Sequence, residues 1–259
     1  MASIREFEAK VVKSVKGIEA RVVKAVKALP IPRKWPISVV SGIFVIVIFW
    51  TFVFISMVHY PTTYNPFNNW MSNLGNSKLN PDGAIFFNLG CIICGIAMFP
   101  FFIGLYEWYI GGKRNRNLTI ATQISGFYCA FAMIMLGVFP EDYLVIHIFW
   151  AISLFATSFF TFVFPSIALY RYKFTRNVAI FGYSAAAVNF VLWIFIFPIM
   201  EWVTISLSFL FIGVIIQSMQ KRIDRLRFVR KQHIELPKRE IRNARKQRNN
   251  ILYFYYIYK

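Results

Sequence analysis

Six long apolar segments are the feature that most restricts how this chain of 259 residues can fold. Each is long enough to cross about 30 Å of hydrocarbon as an α-helix, which rises about 1.5 Å per residue. Their predicted bounds are 37–58, 83–107, 118–138, 143–169, 178–199 and 202–219. Only 15% of the residues are charged, against about a quarter in soluble domains. The predicted fold is therefore all-α, a polytopic membrane protein with a bundle of six transmembrane helices.

Lys and Arg are distributed unevenly between the segments that connect these helices. Of the 29 such residues, 28 fall in the N-terminal segment, the second and fourth connecting loops and the C-terminal segment, and only Lys78 falls in the opposite set. Basic loops stay in the cytoplasm when a membrane protein inserts. The distribution predicts a multi-pass protein of the cell membrane with a cytoplasmic N-terminus and a cytoplasmic C-terminus.

Two basic segments flank the transmembrane domain, which we place at residues 37–219. Residues 1–36 contain an 11-residue repeat that keeps apolar positions on one helical face and lysines on the other, which is typical of an amphipathic interfacial helix on an anionic leaflet. A coiled coil or a membrane protein partner is the alternative. Residues 220–259 form a basic cytoplasmic tail. Membrane lipids are favoured over nucleic acid as its partner, because the tail borders the membrane.

Most polar residues of the predicted outer side lie in one loop, from His59 to Asp82. It contains six asparagines and interleaved apolar residues, so we expect it to fold back over the end of the bundle. Loops of this length often act as lids or binding loops, although asparagines also serve simply to form turns. The candidate ligand-binding residues are Asn73, Asn88 and Glu201.

His147 is the leading candidate for chemistry on the outer side. It lies about one turn into the fourth helix, where an imidazole facing lipid would be costly. Neither Glu141 nor Asp142 stands four residues from it, so we expect it to face the bundle and to find its partner on another segment. The expected partners are Asp82, Asn73 and Asn88. The candidate catalytic residues are His147, Asp82, His59 and Glu141.

The sequence predicts neither a metal site nor a cofactor. Histidines at the spacing of common zinc motifs are absent, and the chain has no phosphate-binding loop, dinucleotide fingerprint or serine-nucleophile elbow. A zinc ion held by the two outer histidines and carboxylates would need ligands from separate segments. The three cysteines, Cys91, Cys94 and Cys129, fall inside apolar segments and are expected to pack in the core.

Several short motifs are similar to those of a known family. They are Ser72-Asn73-Leu74-Gly75, Asn80-Pro81, Phe87-Asn88-Leu89-Gly90, Gly137-Val138-Phe139-Pro140-Glu141-Asp142 with His147, and Met200-Glu201-Trp202. Together they resemble the prokaryotic membrane-protein family catalogued as domain of unknown function 998, over roughly residues 38–219. That family usually has Asp at the position of Asn73 and often Arg at that of Trp202, so a charge pair there is not implied for this chain.

The resemblance implies a six-helix membrane bundle whose signature residues lie on the outer side. It implies no established reaction. A suggested distant kinship of the family with eukaryotic membrane proteins of lipid remodelling and autophagy favours a lipid-related role by analogy alone.

Three functions are consistent with these patterns. The favoured one is a membrane protein that binds a lipid or a membrane partner through its outer polar loop. The alternative is a lipid-modifying, hydrolase-like enzyme with an outer site of histidine and acids, and whether the chain is an enzyme stays open. A small transporter is the third, although it would need a polar path through the bundle. A cavity lined by His147, Asp82 and Asn88 would favour a ligand site or an enzyme.

Overall fold

The computed structural model describes residues 35–109, 112–195 and 197–230, and these ranges are helical with no β-strand. Their α-helices, numbered in chain order, are α1 Ile37–Val58, α2 Ala84–Gly104, α3 Lys113–Val138, α4 Leu144–Leu169, α5 Arg176–Leu192 and α6 Pro198–Arg230. Short 3₁₀ helices occupy Met71–Gly75, Leu105–Trp108 and Glu141–Tyr143. The predicted all-α class is confirmed. The predicted amphipathic helix lies outside the described residues, as does most of the basic tail.

Within the described ranges five helices are long and apolar enough to cross a membrane, and the chain is a membrane protein. These spans are Ile37–Val58, Ala84–Glu107, Lys113–Val138, Glu141–Leu169 and Pro198–Phe228. The predicted fifth span, 178–199, corresponds to α5, which ends at Leu192 and has 17 residues. That length is close to the lower limit of a spanning helix, about 17 residues. The predicted sixth span begins earlier and continues further than expected, because α6 runs from Pro198 to Arg230.

The chain divides into two compact units, residues 35–220 and residues 1–34 with 221–259. Of the second unit the structure describes residues 221–230, which are helical. The packing and the site described below belong to residues 35–220.

The core of residues 35–220 is built by neighbouring helices and by aromatic contacts of α6. Consecutive helices pack together from α1 to α5. In α6, Phe209 stacks on Phe49 of α1 with ring centroids 4.6 Å apart, and Phe211 lies 5.5 Å from Phe162 of α4. Phe211 also stacks on Phe181 of α5. Such aromatic pairs bury large apolar surfaces, so α6 joins the first helix to the fourth and fifth.

The three cysteines are buried and are free thiols. They lie on the facing sides of α2 and α3 among the core residues. Their expected role in packing agrees with this placement, and it makes them useful reporters of unfolding because they become reactive only when the core opens.

Candidate functional site

The predicted site residues lie in the connections at one end of the bundle. The α1–α2 loop, the Glu141–Tyr143 turn between α3 and α4, and the first turn of α6 contact one another there. We call this region the loop end.

Asn80 fixes the α1–α2 loop to the end of α1. Its side chain is fully buried, and its amide Nδ2 donates to the carbonyl oxygen of Ser56 at 3.2 Å, to Ser56 Oγ at 2.9 Å and to the carbonyl oxygen of Leu74 at 2.9 Å. Ser56 Oγ in turn donates to the Leu74 carbonyl oxygen at 3.1 Å. These bonds satisfy Nδ2, whereas Oδ1 of the same amide is buried without a hydrogen-bond partner, so Asn80 is held through its donor group. The loop therefore folds over the bundle, and two of its own side chains, Met71 and Leu74, are buried.

Asn73 and Glu141, two predicted site residues, are in direct contact. Asn73 Nδ2 donates to both carboxylate oxygens of Glu141, at 3.1 and 2.9 Å. Asn76 Nδ2 donates to Glu141 Oε2 at 3.3 Å. The neighbouring carboxylate, Asp142, accepts from the backbone N–H and the hydroxyl of Ser77. Bonds to a carboxylate are among the stronger hydrogen bonds, so the α3–α4 turn is held to the loop.

Asn88 does not line the cavity described below but bonds the loop to α2. Its Nδ2 donates to the carbonyl oxygen of Gly75 at 2.9 Å, which attaches the loop to α2. Gly137 of α3 packs directly on the backbone there, because a Cβ at this position would clash with the carbonyl oxygen of Asn88. The close approach of α3 to α2 at the loop end thus requires a glycine.

Glu201 lies in the first turn of α6 and is 8% exposed. Its Oε2 accepts a hydrogen bond from the backbone N–H of Ser72 at 3.1 Å. No Lys or Arg among the described residues forms an ion pair with it. A buried carboxylate without a cationic partner carries a large desolvation cost. Glu201 is therefore a buried carboxylate that hydrogen bonds from the Met71–Ser72 segment stabilise and that no described cation neutralises.

Trp202 and Tyr64 connect α6 to the loop next to Glu201. The indole Nε1 of Trp202 donates to the Tyr64 hydroxyl oxygen at 3.2 Å, and the Tyr64 hydroxyl donates to the carbonyl oxygen of Trp70 at 2.7 Å. The aromatic rings of Tyr64 and Trp202 also lie 5.7 Å apart. These two hydrogen bonds position the backbone of Trp70 and Ser72 next to the start of α6.

His147 faces the bundle, as expected, and is 6% exposed. Our expected partners were wrong. Its Nδ1 lies 2.9 Å from the carbonyl oxygen of Phe139, at the end of α3. A carbonyl only accepts, so Nδ1 carries the hydrogen and Nε2 of the neutral imidazole has the lone pair. Within the described ranges no protein group bonds to Nε2.

Asp82 and His59 do not join His147. The Asp82 side chain is exposed. His59 is also exposed, and its Nδ1 lies 2.8 Å from the carbonyl oxygen of Ile55 in its own helix. Of the four predicted catalytic residues, the structure brings together His147 and Glu141 alone. The other two belong to the outer rim of the loop end.

A cavity of about 520 Å³ lies between the loop, α4 and the first turn of α6. Its polar lining is Ser72, Glu141, His147 and Glu201. Its remaining lining is Trp70, Leu144, Ile148, Ala151, Ile152, Phe155, Trp193 and Met200. Three predicted site residues therefore share one cavity. Ser72, Trp70 and Trp193 were not predicted, although Ser72 stands in the first of the motifs that carry the family resemblance.

The described residues contain no group of three or more His, Cys, Asp or Glu side chains placed to hold a metal ion. The chemistry of this cavity is instead that of hydrogen-bond acceptors. Glu141, Glu201 and His147 line it, and no Lys or Arg of the part of the chain that the structure describes is in its wall.

Comparison with known proteins identifies the family. A family model described as protein of unknown function (DUF998) matches residues 43–218, so the chain belongs to that family. No curated protein and no solved structure gave a significant match. The matched range contains each of the cavity residues named above.

Proposed function

We propose that this DUF998 protein binds a membrane lipid in the cavity at its loop end. The observation that carries the proposal is the composition of the cavity wall. The wall combines polar groups, among them the buried Glu201 and His147, with apolar side chains of α4 and Trp193. Ligand sites commonly combine a largely apolar wall with a few fixed polar groups. A lipid, with a polar head and an apolar chain, matches this division.

Exposed apolar side chains provide a lateral route into the cavity. Leu144, Ile148 and Ile152 line it, yet each has about half of its surface exposed (55%, 45% and 54%). Trp193 is 43% exposed as well. In a membrane-embedded helix such surfaces contact lipid chains. A lipid could therefore enter between α4 and Trp193 without leaving the bilayer.

The topology completes the proposal. If α5 is counted as a short span, the chain has six spans. The basic loops then all lie on one side, as the distribution of Lys and Arg requires. The loop end then faces outward and both termini face the cytoplasm. Residues 1–36 and 220–259 would attach to the anionic leaflet. A cysteine at position 78, but not one at position 113, should react with an impermeant reagent added outside, and the reverse result would overturn this orientation.

The attachment of the N-terminal segment has its own test. Replacing Val15 and Val22 by Asp places carboxylates on the apolar face of the repeat, where burial is costly. A peptide of residues 3–29 with both changes should lose binding to anionic vesicles. Unchanged binding would favour a partner protein instead.

The lipid-binding proposal is tested by filling the cavity. Ala151 lines it, so Ala151→Phe should displace a bound lipid while leaving the polar groups in place. The matched control is Ala156→Phe, on the same helix but outside the cavity lining. We expect native mass spectrometry to find a lipid retained by the wild type and the control and lost from Ala151→Phe. Equal lipid retention by all three proteins would contradict the proposal.

A second candidate function is a lipid-modifying enzyme, which the placement of His147 favours. His147 lines a cavity together with two carboxylates, and its Nε2, which has no partner among the described residues, is a nitrogen that can take a proton from water or a hydroxyl group. The test is incubation of the purified protein with total membrane lipids, followed by mass spectrometry. A product formed by the wild type and not by His147→Ala would support the enzyme, and no product from either protein would exclude it for those lipids.

A further inference from the structure

The polar part of the loop-end cavity consists mainly of groups that accept hydrogen bonds. Glu141 and Glu201 contribute carboxylate oxygens, and His147 contributes the Nε2 lone pair. The two carboxylates repel an anionic head group, and the described residues of the wall include no Lys or Arg to offset that repulsion. The polar end of the bound molecule is thus expected to donate hydrogen bonds and to carry positive charge.

From this arrangement we propose that the cavity selects an amphiphile whose polar end is a primary ammonium group. The inference rests on the proposed lipid-binding function and specifies the head group. A primary ammonium has three N–H donors, and the wall offers three acceptors of the required kind. Its positive charge also compensates Glu201, which has no cationic partner among the described residues.

His147 is the observation that separates this site from a simple pair of acidic residues. It is 94% buried, as its 6% exposure shows, and its Nδ1–H is already bonded to the Phe139 carbonyl oxygen. His147 lines the cavity, and its remaining nitrogen, Nε2, has no protein partner among the described residues and needs a donor. An ammonium group satisfies this nitrogen and the carboxylates together.

Two tryptophans in the cavity lining support the same ligand. Trp70 and Trp193 both line the cavity, and the face of an indole ring attracts a cation within about 6 Å. Carboxylates combined with aromatic rings attract ammonium groups by two independent electrostatic effects. For a phosphate or a carboxylate ligand the described lining offers no Lys or Arg, and the two carboxylates repel it.

The test compares four amphiphiles that share one alkyl chain and differ only in the head group. They are octadecylamine, octadecyltrimethylammonium, octadecanol and octadecanoate. Binding to the full-length protein in a non-ionic detergent is measured by displacement of a fluorescent lipid. We expect the amine to bind about tenfold or more tightly than the alcohol, because charge-assisted bonds to buried carboxylates are strong. The trimethylammonium compound should bind less tightly than the amine, since it has no N–H donor.

Variants locate the effect in the cavity. Glu201→Gln should lower the preference for the amine over the alcohol by about tenfold and leave the affinity for the alcohol unchanged. The control is Asp82→Asn, which removes the same charge from an exposed position and should leave the preference intact. Equal effects of the two variants would show that surface charge, and not the cavity, attracts the amine.

The results separate this inference from the function on which it rests. If amine and alcohol bind equally and Ala151→Phe abolishes both, the cavity binds lipid but does not select ammonium. If Ala151→Phe affects no compound, lipid binding in the cavity itself is wrong. A further pair identifies the source of the ammonium group. A preference for ethanolamine over choline phospholipids of the same chains indicates a phospholipid, and equal binding of the two, with the amine still preferred, indicates a long-chain amine.

Discussion

Glu141 and Glu201 are two carboxylates of the same cavity with very different surroundings. Glu141 accepts three hydrogen bonds from the amide side chains of Asn73 and Asn76. Glu201, which is 8% exposed, is instead held by groups of Met71 and Ser72, among them the backbone N–H of Ser72 at 3.1 Å. Polar groups at the loop end therefore serve two purposes. Glu141 both holds the loop and lines the cavity, whereas Glu201 and Nε2 of His147 are the acceptors that we propose are completed by a donor from outside the protein.

The same contrast divides the loop itself. Its second half, through Asn73, Asn76 and Asn80, bonds to α1 and to the α3–α4 turn. The residues just before Asn73 contribute Trp70 and Ser72 to the cavity. Changes in the second half should therefore cost stability, and changes in the cavity should alter ligand binding.

The largest loss of stability is expected for Asn80→Ala. It removes a fully buried amide that donates three hydrogen bonds and leaves its acceptors without that donor, which should cost about 3 kcal/mol. Thermal unfolding, followed by reaction of the three buried cysteines with a thiol-specific dye, measures the effect. The control is Asn68→Ala, at an exposed asparagine of the same loop. If both variants unfold at the same temperature, Asn80 does not hold the loop.

A smaller loss is expected for Gly137→Ala. The added Cβ clashes with the carbonyl oxygen of Asn88, so α3 must shift away from α2, at a cost of about 2 kcal/mol. Gly213→Ala is the matched control, since the nearest atom to its added Cβ is Ile46 Cδ1 at 3.9 Å. That variant should be as stable as the wild type or slightly more stable, because alanine favours a helix. A stable Gly137→Ala would mean that the helices tolerate a wider spacing.

The two carboxylates should respond in opposite directions to loss of charge. Glu141→Gln replaces an acceptor of three bonds by a group with an amide donor facing Asn73, which should cost about 1.5 kcal/mol. Glu201→Gln removes a buried charge without a cationic partner, and its stability without ligand should be unchanged or higher. Unfolding temperatures of the ligand-free proteins in one detergent give the comparison. A destabilised Glu201→Gln would show that the charge is compensated within the protein.

The smallest effect is expected for Tyr64→Phe. It removes the hydroxyl between Trp202 and the Trp70 carbonyl oxygen, at a cost of about 1 kcal/mol. Burial raises the pKa of the Tyr64 hydroxyl above its ordinary value of 10.0. The folded state therefore holds this proton more tightly than the unfolded state. Its contribution is present below pH 10 and is lost as the pH rises through the folded pKa.

The pH dependence provides a second measurement on the same variant. Above about pH 10 the wild type should lose stability more steeply than Tyr64→Phe, which has no proton to release at this position. Tyr109→Phe, at a tyrosine outside the loop end, serves as the control. Parallel stability curves for all three proteins would contradict the placement of Tyr64 at a buried junction.

The helices of the bundle were predictable because long apolar runs in a membrane leave the backbone few alternatives to an α-helix. The residues at which the helices begin and end were harder to predict. The polar residues Lys113 to Asn117 joined α3, and the apolar residues after Leu192 did not continue α5. Hydropathy reports where a segment is apolar, whereas a helix ends where local turns and neighbouring contacts are favourable.

The site was predictable in part for a similar reason. Asn73 with Glu141, and Glu201 with His147, were named from polarity at one depth, and they meet in the structure. Asp82 and His59 share that depth but point outward, since depth along a helix does not determine the direction of a side chain. The partner of His147 is a backbone carbonyl. Every residue has one, so no sequence pattern could have indicated Phe139.

The most direct test of the central claim is an experimental structure of the full-length protein in a lipid mesophase or nanodisc. The claim predicts elongated density in the cavity between α4 and the first turn of α6. Its polar end should lie within hydrogen-bond distance of Glu141, Glu201 and His147 Nε2, and its chain should follow Leu144, Ile148 and Ile152. A cavity closed by Trp193 and Met200, or one containing only ordered water bonded to Glu201 and His147, would contradict the claim.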